Sequence, residues 1–401
     1  MLNSIAIVFI ILRLSVVECA TQDSDINALR SIKQFIDPIS ILPNSYIRSW
    51  NFSMDPCESR GWFLGVLCTD PTDNSNKRVS TILLDAAGYD GFLPAAIGDL
   101  TELTDLRMDS NRFRGPIPES IANLQRLTRI SLSNNYFTGQ IPRGIANFRR
   151  LEVLDLSGNQ LSGPIPTNSS GMTRLVRLNL AGNLLSGRLP DISGQWQLSS
   201  LDLSNNEFYG DIPKLPSSLT YLDISNNALS GHISRLATLQ KIRYINVGGN
   251  RFTDAISQHV LGLPQLVYLN VSKNHFTEVN SVYLPGTLQL EVLDAHGNLL
   301  HGRLPATLAN LLELTSLDLS HNRLTGAIPA SYWQKQGNPW SRLFLQDNFL
   351  SGRLPDGMGS GKIPARGSLA NNCLQCPQYI SLCRGSQKPS SQCARYANEG
   401  N

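Results

Sequence analysis

Three tyrosines recur at near-constant spacing in the middle of this 401-residue chain: Tyr221, Tyr244 and Tyr268, 23 and 24 residues apart. Two positions after them stand Asp223, Asn246 and Asn270. Tyrosine combines ring area, a hydroxyl and few rotatable bonds, so a row of it suits noncovalent recognition better than bond-making. Arg177, two spacings earlier in the same phase, would add a cation to that row. Groups able to make or break bonds are sparse. His296 and His321 lie near Asp294 and Asp318, a set that could hold a metal or pass a proton, but its spacing matches no ligand pattern. Gly357–Lys362 (GMGSGK) resembles a phosphate loop. However, Asp356 fills the first glycine position and Ile363 the place of the Ser or Thr that would meet Mg²⁺. The expectation is a binding protein with no catalysis, no cofactor and no metal.

A periodic frame must hold these residues. The stretch 151–166, LEVLDLSGNQLSGPIP, returns in the same phase at 175–190 and 314–329. Its asparagine marks the phase at Asn111, Asn135, Asn159, Asn183, Asn206, Asn227, Asn250, Asn274, Asn298, Asn322 and Asn348. With a degenerate first copy around Ile82–Pro94, this makes twelve leucine-rich repeats. Each L-x-L is a short strand with its leucines inward, and one coil cannot bury that apolar edge alone. Stacked coils therefore form a parallel concave sheet, roughly 55–60 Å long at about 4.8 Å per strand. The inward Asn should form a ladder along the stack, since its amide both donates and accepts. The tyrosines, six before the marker, then face outward on three adjacent strands, with Asp223 and Asn246 beside them. The three coils carrying or following them lose the Ile-Pro ending, reading Ile233-Ser234, Ile256-Ser257 and Val279-Asn280.

The ends differ from the array. Residues 5–12 (IAIVFIIL) are too short to span a bilayer, and Val17-Glu18-Cys19 suits cleavage, so residues 1–19 read as a signal peptide. No later stretch is long and apolar enough to span a membrane. Residues 20–77 form an N-terminal cap, with a helix over 24–36 capped by Ser24. That helix places Ala28, Leu29, Ile32, Phe35 and Ile36 on the first coil, while Trp50, Trp62 and Val66 complete the lid. The solenoid covers 78–371 and a cysteine-rich cap 372–401. Of seven cysteines, Cys19 leaves with the signal peptide and an even six remain, all outside the repeats, which predicts disulfide staples in an oxidising compartment. Cys57–Cys68 is the natural first bridge; Cys373, Cys376, Cys383 and Cys393 allow three pairings. Asn51, Asn168 and Asn270 open N-x-S sequons, so glycosylation is expected. A formal charge of +3 gives no nucleic-acid footprint. Arginines at 107, 112, 114, 126, 129, 143, 149 and 150 gather near the first coils, where acidic wall polysaccharide could dock.

The cap residues Asp25, Ala28, Leu29, Trp50, Asp55-Pro56-Cys57, Gly65-Val66 and Cys68 resemble the cap of plant extracellular leucine-rich repeat proteins. The Leu-x-Gly-x-Ile-Pro ending at Leu161–Pro166 and Leu324–Pro329 is similar to the plant-type repeat, and the tail Phe344–Cys393 resembles kinase-less relatives of receptor-like proteins. The fold reading is thus an α/β leucine-rich repeat solenoid of about twelve plant-type repeats between disulfide-stapled caps. The resemblance implies a secreted glycoprotein of the cell wall or extracellular space. It would recognise a peptide or protein in defence or developmental signalling, with a membrane receptor kinase as a further partner. The alternative is a polygalacturonase-inhibitor-like protein acting on a secreted wall-degrading hydrolase.

Overall fold

The computed structural model describes residues 20–58, 62–69, 76–167, 171–354, 366–377 and 379–394. The signal-peptide reading of residues 1–19, the sequon at Asn168 and the phosphate-loop lookalike at 357–362 lie outside the described residues.

Each coil contributes a strand to one 14-stranded sheet, from Val66–Thr69 to Arg366–Ser368. Val66–Thr69 runs antiparallel to Arg78–Leu83 and closes the N-terminal edge, and the other neighbours pair in parallel. In most of the short strands the middle residue is buried and its neighbours are not, as in Val153–Asp155 and Ser200–Asp202. This is the alternation that L-x-L dictates. The array is one coil longer than twelve. Arg366–Ser368 adds a strand, and Asn372, fully buried, repeats the marker's role.

The marker asparagines do form a ladder, through backbone rather than through one another. Asn135 Oδ1 accepts the Phe113 N–H of the preceding coil at 3.0 Å, and its Nδ2 donates to the Leu132 carbonyl and to the Met108 carbonyl of the preceding coil. Asn159, Asn183, Asn250 and Asn322 repeat the pattern. The residue just before the marker has positive φ from Ser110 to Asn371, which is why Gly and Asn are frequent there.

A second ladder was not foreseen. The segment after each marker is extended, and these segments pair into nine strands from Asp90–Phe92 to His275–Val279 and four from His301–Arg303 to Cys373–Gln375. A positive-φ Gly four after the marker, such as Gly139 or Gly163, turns most of these strands toward the Ile-Pro ending. Asp254 takes that place with φ 75, and the pairing slips beside it. The lost Ile-Pro motifs act on this outer side. Ser234–Thr238 still forms a 3₁₀ turn, and Ser257 caps Gln258–Leu261 by accepting the His259 N–H.

The N-terminal helix is Asp23–Gln34, preceded by Gln22, so Ser24 is not its cap. Its buried face is Asp25, Ala28, Leu29 and Ile32, followed by Ile36. Phe35, at the helix end, is 50% exposed, and Trp62 is 65% exposed; neither belongs to the lid. Trp50 does: it is fully buried and donates its indole N–H to the Leu64 carbonyl. Cys57–Cys68 forms as expected, and the four C-terminal cysteines pair as Cys373–Cys393 and Cys376–Cys383. That cap covers the last strand, where the Leu369 N–H donates to the Leu382 carbonyl.

Candidate functional site

The tyrosine row is formed by register. Tyr221 pairs with Tyr244 and Tyr244 with Tyr268 across the concave sheet. Strand spacing then places the rings face to face: centroids are 4.6 Å apart at 9° for the first pair and 4.5 Å apart at 4° for the second. All three are half-buried. The result is a continuous aromatic plate with hydroxyls along it.

Burial, then the carboxylates of Asp202 and Asp223, pushes the Tyr221 phenol up to about 12. The phenols of Tyr244 and Tyr268 are raised too, chiefly by burial and next by Asp223 and Asp294 respectively. Raised phenol values favour the protonated form in the folded state. Their contribution to stability is therefore complete below the ordinary value near 10 and fades as pH climbs through the folded values. Subtracting the alkaline absorbance titration of a Tyr221/Tyr244/Tyr268→Phe variant from that of the parent should reveal three phenols ionising late. Three transitions near pH 10 would show that the plate is solvated.

The polar column beside the plate has an internal duty. Asp223 is buried; its Oδ1 accepts the Ser225 N–H and hydroxyl, and its Oδ2 accepts Asn246 Nδ2 at 2.9 Å. Burial pushes its carboxyl up, against the pull of Ser225 and Asn246. Asn246 Oδ1 accepts the Gly248 N–H, and Asn270 Oδ1 accepts the Ser272 N–H at 2.9 Å. These side chains tie off the strand ends, so they form the floor beside the rings. Arg177 is exposed in the tyrosine row, one strand beyond Ser200, which pairs directly with Tyr221. Asp202, on the strand paired with that of Tyr221, flanks the ring and belongs to the same surface.

The histidines do not converge. His296 Nδ1 lies 2.7 Å from Asp294 Oδ1, with Asp318 close enough to complete a three-group cluster. His321 instead faces Asp347, with Nδ1 3.5 Å from Oδ2. Asp318 Oδ1 is already taken by the Ser320 N–H and hydroxyl. On the basic side, Arg107, Arg114 and Arg126 pair with Asp105, Asp90 and Glu102, leaving a surface of mixed sign.

Comparison with known proteins agrees with the repeat fold. Leucine rich repeat profiles match residues 101–161, 197–219, 218–238 and 313–334. The chain is a solenoid of leucine-rich repeats. Among solved structures this solenoid is similar to PEPR1–AtPEP1, with 28% identity and a TM-score of 0.75 over 91% of this chain and 56% of that one. It thus spans little more than half of that chain. It is also similar to a plant ice-binding protein, with 27% identity and a TM-score of 0.56 over 78% of this chain and 92% of that one. The plant peptide hormone receptor RGFR1, in complex with RGF2, shares 26% identity with a TM-score of 0.49 over 75% of this chain and 61% of that one. Comparison with curated proteins gives no match. Among the described residues, no helix is long and apolar enough to cross a membrane.

Proposed function

We propose that this leucine-rich repeat protein is an extracellular recognition module that holds a peptide or protein segment against the plate formed by Tyr221, Tyr244 and Tyr268. The observation that carries the reading is the stacking of the three rings on the concave face. Rigid aromatic side chains on a preformed scaffold lose little entropy on binding, and Tyr is enriched among residues that dominate interface energy. An extended segment lying along the plate could donate hydrogen bonds to the phenol oxygens while its side chains pack on the ring edges. Arg177 would meet an acidic group at the N-terminal end, and a glycan on Asn270 would bound the site beyond Tyr268. Asp223 and Asn246 support the floor. The three disulfides suit an oxidising, extracellular setting. The likeness to PEPR1–AtPEP1 supports a binding role, whereas the likeness to an ice-binding protein shows that the fold does not choose the ligand.

The test is affinity capture from plant extracellular fluid and solubilised plasma membrane, on immobilised residues 20–401 and on a Tyr221/Tyr244/Tyr268→Ala version. A partner should bind the parent and bind the variant at least about 30-fold more weakly, as loss of a single strong anchor already gives. Equal capture by both proteins would refute the reading. A captured hydrolase whose turnover falls on binding would establish inhibition in its place.

A further inference from the structure

In four coils the end of the concave strand is tied off in one way. Ser157, Ser204, Ser225 and Ser320, two before their markers, donate their hydroxyls to Oδ1 of Asp155, Asp202, Asp223 and Asp318. The coil of Asn298 departs from this, because His296 stands in the place of the serine. Its N–H still donates to Asp294 Oδ1, at 3.1 Å, and its ring Nδ1 lies 2.7 Å from the same oxygen.

The next departure runs across the strands. Asp155 Oδ2 accepts Asn179 Nδ2, and Asp223 Oδ2 accepts Asn246 Nδ2, so an asparagine one coil on answers the second oxygen. Opposite Asp294 the register places Asp318, and opposite Asp318 it places Phe344, neither of which offers an N–H from its side chain. Among the described residues, neither Asp294 nor Asp318 forms an ion pair with a lysine or arginine. Carboxylates opposite one another on paired strands repel. Asp202 and Asp223 also face each other, but Asp223 is buried and serines stand where His296 does. At Asp294 an imidazole nitrogen and one oxygen of each carboxylate lie within 4.8 Å of one another. The side chains of His296 and Asp294 keep 28% and 26% of their surface exposed, so an ion can reach them. Asp294 and Asp318 are one coil apart, and a ligand set assembled from two coils has no signature in sequence spacing.

We propose that Asp294, His296 and Asp318 bind one Zn²⁺ ion on the concave face. An imidazole nitrogen with two carboxylate oxygens suits zinc, whereas Ca²⁺ and Mg²⁺ take oxygen ligands. Bonds of about 2.0–2.2 Å bring tetrahedral ligand atoms to roughly 3.3 Å apart, a closure that small rotations of half-buried side chains supply. Asp318 Oδ2 is free for the ion while Oδ1 stays with Ser320. Three protein ligands leave a fourth position for water or for a donor atom of a bound molecule. The site lies one strand beyond Tyr268, since Asn270 pairs with Asp294, and it does not depend on the tyrosine plate.

Titration calorimetry of metal-free residues 20–401 with zinc chloride, in a buffer that does not chelate, tests the proposal. One saturable equivalent should bind and should raise the melting temperature, as any ligand of the folded state does. His296→Ser and Asp318→Asn restore residues that these columns carry in other coils, so both variants should fold. Each should weaken zinc binding at least about tenfold, since loss even of a group that only orients a ligand has that effect. His321→Ser, which removes the histidine facing Asp347, should leave binding unchanged, and excess Ca²⁺ should not compete. If one variant does not fold, the other decides. Absence of saturable zinc binding, affinity retained in either His296→Ser or Asp318→Asn, or displacement of zinc by Ca²⁺ would each overturn the proposal.

Discussion

Asp25→Ala should cost about 3–5 kcal/mol, the usual consequence of removing one partner from a buried ion pair. Asp25 has no exposed surface and joins the cap helix to the first coil. Its Oδ2 accepts the Val79 N–H at 2.8 Å and Arg78 Nε at 3.1 Å, and Arg78 Nη2 donates to its Oδ1 at 3.0 Å. Alanine would leave the buried Val79 N–H unanswered and the Arg78 guanidinium without its carboxylate, with Thr101 Oγ1 still accepting from it, at the edge that closes the solenoid. A repeat array depends on its end caps, so unfolding should start at this end. Urea titration of the variant gives the loss directly. The double replacement Asp25→Leu with Arg78→Met should recover part of it, because it removes both charges together. A loss below about 1 kcal/mol in the single variant, within the range of ordinary substitutions, would show that the pair does not hold the cap.

Asn250→Ala should cost about 2–4 kcal/mol for a comparable reason in the middle of the array. Asn250 Oδ1 accepts the Leu229 N–H at 3.0 Å, and Nδ2 donates to the Ile224 carbonyl at 3.0 Å and to the Val247 carbonyl at 3.1 Å. Two of these partners belong to the preceding coil, so the amide fastens neighbouring coils together. Stability in such arrays is approximately a sum of coil and interface terms. Loss of the fastening should therefore lower cooperativity as well as midpoint, seen as faster amide exchange at Leu229 than at Phe137. Exchange at Leu229 unchanged from the parent would mean that the Asn ladder is not what joins the coils.

The repeat phase was legible in the sequence because the same letters recur wherever the same backbone must be satisfied. Each marker Asn, each inward Leu and the tyrosine register follow from that one constraint. What escaped depends on contacts that carry no period. The pairing of Cys373 with Cys393 needs the path of the C-terminal cap, which spacing leaves open among three choices. Phe35 reads as a lid residue from helical periodicity and Trp62 from its place beside the cysteine pair, yet Phe35 stands just past the last helical residue and both side chains are exposed. The outer ladder was missed because its strands follow the marker without the alternation that identifies the inner ones. Asp223 read as an outward ligand residue, whereas burial and three hydrogen bonds make it part of the floor.

The central claim is that the tyrosine plate meets the ligand, and hydroxyl-radical footprinting of the complex with the captured partner tests it most directly. Protection of Tyr221, Tyr244 and Tyr268 on binding, with the exposed Tyr136 and Tyr283 unchanged, is the result expected. Unaltered labelling of the three plate tyrosines, with protection elsewhere on the surface, would contradict it.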